Sequence, residues 1–182
     1  MSNFTLTSLK KQLSKKTKDE LVQEIAMLYK TFTPVKEYYQ AQGDDIQVLV
    51  KKYKSIIEKE FIFGKTRGLP SAKFSVARKA LNDFKNLTKE PELIADMMLF
   101  YVECVSSFNT EFCPDAENFY TAPENLYETA LAFIQKHQLE ELFRKRAHDI
   151  VTNATDGWGH QDSLAEQYLS VYDKDGNRMS FY

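Results

Sequence analysis

Leu93-Ile-Ala-Asp-Met-Met-Leu-Phe-Tyr-Val-Glu-Cys-Val-Ser-Ser-Phe-Asn-Thr-Glu-Phe112 decides the fold of this chain. The run is apolar on most of its circumference when wound at 3.6 residues per turn, the mark of a helix enclosed by others rather than lying on a surface. It is short of the ~20 uninterrupted apolar residues of a membrane span, so the expectation is a buried central helix. Thr88-Lys-Glu-Pro91 opens it, with proline at a position where its missing N–H costs nothing. Upstream, Gly64-Lys-Thr-Arg-Gly-Leu-Pro70 reads as a loop, and Ser71 as the cap of a helix through Leu87. Before the loop, Ile46, Leu49, Val50, Tyr53, Ile56 and Ile57 make one apolar stripe on a helix over Asp45–Phe61. Downstream, helices are expected at 123–137, 139–154 and 162–172.

The N-terminal punctuation is equally clear. Thr17-Lys-Asp-Glu20 has the pattern of a capping box, followed by Leu21, Ile25, Leu28 and Tyr29 at helical spacing. Thr33-Pro34 stops that helix and starts another through Gln40, and Gly43-Asp44 breaks again. At the other end, Leu169-Ser-Val-Tyr172, a turn at Asp173–Arg178, and Met179-Ser-Phe-Tyr182 read as strand, turn, strand. Glycine (6) and proline (5) are too few for a turn-rich β fold in 182 residues. The sequence therefore predicts an all-α protein, an irregular antiparallel helical bundle or a short helical-pair (HEAT-like) array, with a small C-terminal β-hairpin. It reads as one domain over 1–182: N-terminal helices in 1–42, three helical pairs in 43–172, and a hairpin tail at 173–182. The pairs begin near 45, 91 and 139, close to the ~40–47-residue period of helical-pair repeats, but no residue-level similarity accompanies that period.

Charge is split along the chain. Residues 1–90 carry 18 Lys+Arg against 10 Asp+Glu, and residues 91–182 carry 6 against 16, so a net charge of −2 hides a polar molecule. Such a split steers partners, binds polyanions with one half, or ties the halves together. If the basic half of one copy met the acidic half of another, the contact would be heterologous and would have to close into a ring or keep growing. The charge pattern leaves the oligomeric state open. Met1-Ser-Asn-Phe-Thr-Leu-Thr-Ser-Leu-Lys10 lacks the charged and apolar regions of a secretory leader, and two cysteines do not make a disulfide scaffold. A soluble cytoplasmic protein, without membrane association, is expected.

Catalytic templates fail one by one. Gly64-Lys65-Thr66 ends like a phosphate-binding loop, but that loop needs a glycine five positions earlier after a strand, and position 59 is lysine in a helix. Asp173-Lys-Asp-Gly-Asn177 begins like a calcium loop, yet its glycine comes fourth rather than sixth. No nucleophile elbow or Cys–His signature is present. His137, His148 and His160 lack metal partners at helical spacing, so no cofactor or metal is expected; His148-Asp149 and His160-x-Asp162 could still meet across a helical hairpin as an acid–base pair. Asp162 reads as a helix cap. Glu92, Asp96 and Glu103 lie along one side of the central helix, which could make an acidic pocket, and read first as its solvated stripe or as partners of lysines of the basic half.

Two groups remain as candidate binding residues. In Asp156-Gly-Trp-Gly-His-Gln-Asp162 two glycines flank the only tryptophan, Trp158, which reads either as a plug at the end of the core or as a stacking platform beside His160. Lys10, Lys11, Lys15, Lys16 and Lys18 form a lysine cluster suited to loose phosphate contact.

Leu13–Leu21, Leu28-Tyr-Lys with Val35-Lys-Glu-Tyr-Tyr39, Lys52–Phe61, Ser75-Val-Ala-Arg-Lys-Ala80, Asp83-Phe-Lys85 and Gly157-Trp-Gly159 occur in this order. As an ordered set over residues 9–172 they resemble a family of small bacterial proteins of unknown function, domain of unknown function six-one-five-five. The resemblance implies a bacterial, single-domain, all-helical protein and brings no activity, cofactor or catalytic residue. The leading functional expectation is a non-enzymatic module that binds another protein. Nucleic-acid binding through the basic half comes second, and an enzyme using His148, His160 and nearby carboxylates third.

Overall fold

The capping box at Thr17 forms as its sequence demands. Glu20 N–H donates to the Thr17 hydroxyl at 3.3 Å and Thr17 N–H to the Glu20 carboxylate at 2.7 Å, satisfying two of the orphan donors that every helix start exposes. A computed structural model describes residues 4–43, 46–62 and 70–173. Contacts divide the chain into two compact units, Met1–Ile46 and Gln47–Tyr182. The first unit holds α1 (Leu6–Leu13), α2 (Lys18–Thr31) and α3 (Thr33–Ala41). Thr5 caps α1, and Pro34 sits in the first turn of α3, where its fixed φ helps and its lost donor is not missed. α2 and α3 pack together.

The second unit is built from α4 (Ile46–Phe61), α5 (Phe74–Leu87), α6 (Pro91–Phe112), α7 (Asn118–Lys136), α8 (Glu140–Thr152) and α9 (His160–Tyr172). α6 is the buried central helix that its composition demands. Twelve of its 22 residues are buried, among them Ile94, Met97, Leu99, Val102, Cys104 and Val105, and they take up the circumference except for one stripe at Asp96, Phe100, Glu103 and Ser107. α5, α7 and α8 all pack on α6, and α9 packs on α7 and α8. In a linear repeat array each pair would touch only the next; here one helix is shared by three others, so the arrangement is a bundle around α6. At one end of it Phe61, Phe74, Phe108 and Phe119 link α4 to α7 through ring contacts of 5.1–6.1 Å, each adding roughly 0.5–1.5 kcal/mol to burial alone.

Four expectations need correction. The C-terminal β-hairpin is not present. Leu169-Ser-Val-Tyr172, assigned to its first strand, is the last turn of α9, and no strand occurs among the described residues. Tyr168 and Tyr172, four apart as one helical turn places them, meet with tilted rings at 4.6 Å, and Arg144 of α8 donates to the Tyr172 carbonyl and lies over its ring at 5.0 Å. The second strand and the turn, with the calcium-loop pattern, fall at 174–182, outside the described residues, as does Gly64-Lys65-Thr66. Ser71 does not cap α5: its hydroxyl bonds to Glu60 of α4, whose second tie is to Lys73 N–H at 3.1 Å, so a distant carboxylate does the capping. Asp162 lies in the first turn of α9 rather than before it. α7 starts at Asn118, five residues before the proline read as its first residue, and carries Pro123 inside it. The carbonyl that Pro123 cannot serve, that of Phe119, instead accepts from Asn109 Nδ2 of α6 at 2.7 Å.

Asp96 and Glu103 are not a bare solvated stripe. Arg146 of α8 grips Glu103 with both arms at 2.6 and 2.8 Å and also bonds Asp96, whose other oxygen pairs with Lys54 of α4 at 2.7 Å. Burial opposes the Arg146 charge, but the hydrogen bonds and fields of Glu103 and Asp96 outweigh it and hold the guanidinium above its ordinary value. One of these bonds, Lys54–Asp96, joins the basic and acidic stretches of the chain.

Candidate functional site

Trp158 sits on a turn that only local hydrogen bonding can hold. Trp158 (φ 59°) and Gly159 (φ 67°) are both left-handed, a conformation that glycine adopts freely and that costs a bulky residue about 1–2 kcal/mol. Gly157 N–H donates to the Thr155 hydroxyl, Gly159 N–H to the Asp156 carbonyl, and Gln161 N–H to the Thr155 carbonyl, each at 3.2 Å. The outcome is a tryptophan aimed outward, 60% exposed. It is therefore not a plug in the core. Its ring stacks on Tyr120 of α7 at 5.7 Å and 20°, and Tyr120 lies buried beneath, its hydroxyl donating to the Pro114 carbonyl at 3.1 Å. Burial, then the thiol of Cys113 and the carboxylate of Asp115, push the Tyr120 phenol up from its ordinary value, so it stays neutral.

His160, the first residue of α9, meets the same tyrosine from inside. It is 0% exposed, edge-on to Tyr120 at 5.8 Å, with Nδ1 2.8 Å from Glu124 of α7 and Nε2 3.2 Å from the Ser106 hydroxyl of α6. With Glu124 as carboxylate, Nδ1–H donates to it and Nε2 accepts from Ser106. The two candidate residues of this loop thus share a partner, Tyr120, but not a face: Trp158 is outside and His160 inside.

Ser106–His160–Glu124 has the connectivity of a nucleophile, base and orienting acid. Its surroundings oppose that chemistry. His160 is sealed from solvent, and the Ser106 N–H is consumed inside α6. A cleft of 170 Å³ between α6 and α8 reaches Ser106 past Glu103 and Asp149, which are paired with Arg146 and Lys145. The trio acts as a buried polar network, each ring nitrogen satisfied, that fixes the start of α9 and, through Tyr120, the aromatic pair at the surface.

His148 is in a different setting, 4.0 Å from Asp149 and edge-on to Tyr168 at 5.7 Å. No group of three His, Cys, Asp or Glu side chains among the described residues is arranged to hold a metal. Of the lysine cluster, Lys10 and Lys11 close α1, Lys15 lies in the following turn, Lys18 opens α2, and Lys16 pairs with Glu24 at 2.6 Å. Sequence reading missed Tyr120, Glu124 and Ser106, which lie 36 to 54 residues from the loop that they support. It also missed a groove on α2, where Val22, Ile25, Ala26 and Tyr29 recur one turn apart and line an open apolar surface with Lys30 and with Tyr39 of α3.

Residues 4–174 match the model of a family of unknown function, DUF6155. No curated protein and no solved structure matches the chain. Among the described residues no helix is long and apolar enough to cross a membrane.

Proposed function

We propose, for a chain that belongs to the family of unknown function DUF6155, that the protein is a non-enzymatic interaction module whose N-terminal unit takes an amphipathic helix of another protein, acidic on its polar side. One observation carries this reading. Among the described residues every buried apolar side chain of the core lies at Leu49 or beyond, whereas nine of the thirteen large apolar side chains left exposed lie between Phe4 and Tyr39. Units of about 40 residues rarely bury enough surface to stand alone, and exposed apolar surface of this density marks a docking face. The spacing of Val22, Ile25, Ala26 and Tyr29 is that of a helix face, which suits a second helix laid along it. The charge of the partner follows from the rim: Lys30 lines the groove, and Lys18 and Lys36 lie one turn from Val22 and Tyr39 respectively, against Asp19 alone in the same position.

The test is fluorescence anisotropy on the full chain with two labelled amphipathic helical peptides, identical on the apolar side and bearing either Glu or Lys on the polar side. The Glu peptide is expected to bind at least about tenfold tighter, and Ile25→Ser, at an exposed position, to weaken it by a similar factor with the circular dichroism unchanged. Equal binding of both peptides, binding of neither, or indifference to Ile25→Ser refutes the reading. Sedimentation of the free protein separates off the alternative that a second copy fills the groove.

Nucleic-acid binding is the second reading, and it too has an observation behind it. Lys10, Lys11, Lys15 and Lys18 are exposed around one interhelical turn and form no ion pair among the described residues. Against it, Met1–Ile46 carries seven lysines and six carboxylates, well short of the basic excess of a polyanion-binding unit. Labelled duplex DNA, single-stranded DNA and RNA in the same assay decide the matter: binding that falls linearly with log salt and disappears when Lys10, Lys11, Lys15, Lys16 and Lys18 become Gln would put this reading first.

A further inference from the structure

α5 and α7 both pack on α6 and scarcely on each other. The gap left between them is a pocket of about 250 Å³. Its floor is Met98, Tyr101 and Val105 of α6, and Leu126 and Pro123 of α7 form its apolar wall. Its remaining wall is one stripe of α5, on which Phe74, Arg78, Leu81 and Lys85 follow one another at three- and four-residue spacing. The pocket is therefore two-sided: methyl and ring surface at depth, and two cations at the mouth.

Those cations are uncommitted. Neither Arg78 nor Lys85 forms an ion pair among the described residues, and no carboxylate lines the pocket. Asp83, the acidic residue nearest in sequence on α5, is held by Lys79 at 2.5 Å. Elsewhere in this unit the partly buried cations are spoken for, Arg146 by Glu103 and Asp96, and Lys54 by Asp96, so the half-buried Lys85 is the exception, with the exposed Arg78 beside it. The Tyr101 hydroxyl at the floor donates to the Phe74 carbonyl at 3.3 Å. Burial pushes this phenol up to about 12 against the lowering field of Arg78, so it remains a neutral wall and supplies no competing charge.

We infer that this pocket binds a small carboxylate with an apolar body, its carboxylate held at the mouth by Arg78 and Lys85 and its hydrocarbon against Met98, Val105 and Leu126. The planar guanidinium offers two parallel N–H donors that match a carboxylate, with the lysine as a second point charge. The volume lies just below the ~300–1,000 Å³ of ligand pockets, which suits a single short chain or one aromatic ring. This site is separate from the α2–α3 groove, and its fate does not depend on the peptide assay.

Isothermal titration of the full chain with octanoate and with phenylbutyrate tests it, with octylammonium and octanol as controls of the same body and different head. Saturable binding of a carboxylate is expected, at least about tenfold tighter than that of octylammonium. Arg78→Gln, at an exposed position that leaves the fold intact, should weaken it about tenfold, in line with the loss of one charge-assisted hydrogen-bonded contact. The Met98 methyl resonance should shift on saturation with carboxylate in the parent protein. Leu126→Trp, which fills the pocket, should abolish binding; if that variant does not fold, Arg78→Gln and the Met98 shift decide. No saturable binding of either carboxylate, equal binding of octylammonium, or full binding by Arg78→Gln overturns the proposal.

Discussion

Pro123 and Asn109 form a compensating pair whose coupling can be measured. A proline inside a helix leaves the carbonyl four residues back without a donor, and here that carbonyl, of Phe119, takes its hydrogen from Asn109 Nδ2 at 2.7 Å. Asn109→Leu keeps the branching of this fully buried side chain but removes the donor. A buried acceptor left without a partner costs about 1–3 kcal/mol. Phe119 is only half-buried, and the same change removes Asn109 Oδ1, itself buried without a partner, so the lower part of that range applies, about 1–2 kcal/mol. Pro123→Ala restores an N–H at position 123 that can serve the Phe119 carbonyl from within α7. In that background Asn109→Leu should cost little, because the group that it orphans already has a donor. The expected interaction energy is thus about 1–2 kcal/mol, favouring the double variant over the sum of the two single ones. Urea denaturation followed by far-ultraviolet circular dichroism reads this directly, since α6 and α7 lose their helicity when the bundle unfolds. Additivity of the two changes within about 0.5 kcal/mol would refute the reasoning, as would a neutral Asn109→Leu.

The two thiols should behave oppositely. Cys104 is buried, and burial, reinforced by the Glu103 carboxylate, pushes its thiol up to about 12, while Cys113 is exposed; Ellman's reagent at mildly alkaline pH should titrate one thiol in the native protein and the second only in denaturant. Arg146→Lys keeps the charge but loses the fork that holds Glu103 and Asp96, and should lower stability by about 1–3 kcal/mol, which a urea midpoint shift checks. Trp158 should emit like an exposed indole and be quenched by acrylamide nearly as well in the folded as in the unfolded protein; strong protection would contradict its outward position. Hydrogen bonding from Thr17 N–H, then from its hydroxyl, holds the Glu20 carboxylate below its ordinary 4.5, so the stabilising effect of this box is complete above about 4.5 and fades as the pH falls through the lower folded value. An acid titration of α2 helicity by NMR should show that loss in the parent protein and not in Glu20→Gln, whose side chain does not titrate.

What the sequence by itself determined was whatever rests on near neighbours. The apolar circumference of Leu93–Phe112, the capping box at Thr17-Lys-Asp-Glu20 and the break at Thr33-Pro34 are settled within one or two turns of chain, and each appears where the residues require it. The last turn of α9 is the instructive failure. Leu169-Ser-Val-Tyr172 alternates like a strand, and only Arg144, 28 residues away, and the pairing of Tyr168 with Tyr172 make the helical turn the better-satisfied state. Pro123 reads as a helix start until Asn109 supplies the donor that lets the helix run through it, and Ser71 reads as a cap until Glu60 takes the role. The candidate site divides in the same way. Two glycines around one tryptophan announced an unusual turn, but whether the ring pointed in or out depended on Tyr120, and the burial of His160 on Glu124 and Ser106, three residues from two other helices. The α2–α3 groove and the α5–α7 pocket are decided by what the neighbouring helices leave uncovered. Local hydrogen bonds and periodicity can be read along the chain because their partners are a few residues apart; burial and polar pairing across helices cannot, because the groups that satisfy them are brought together only when the whole bundle closes around α6.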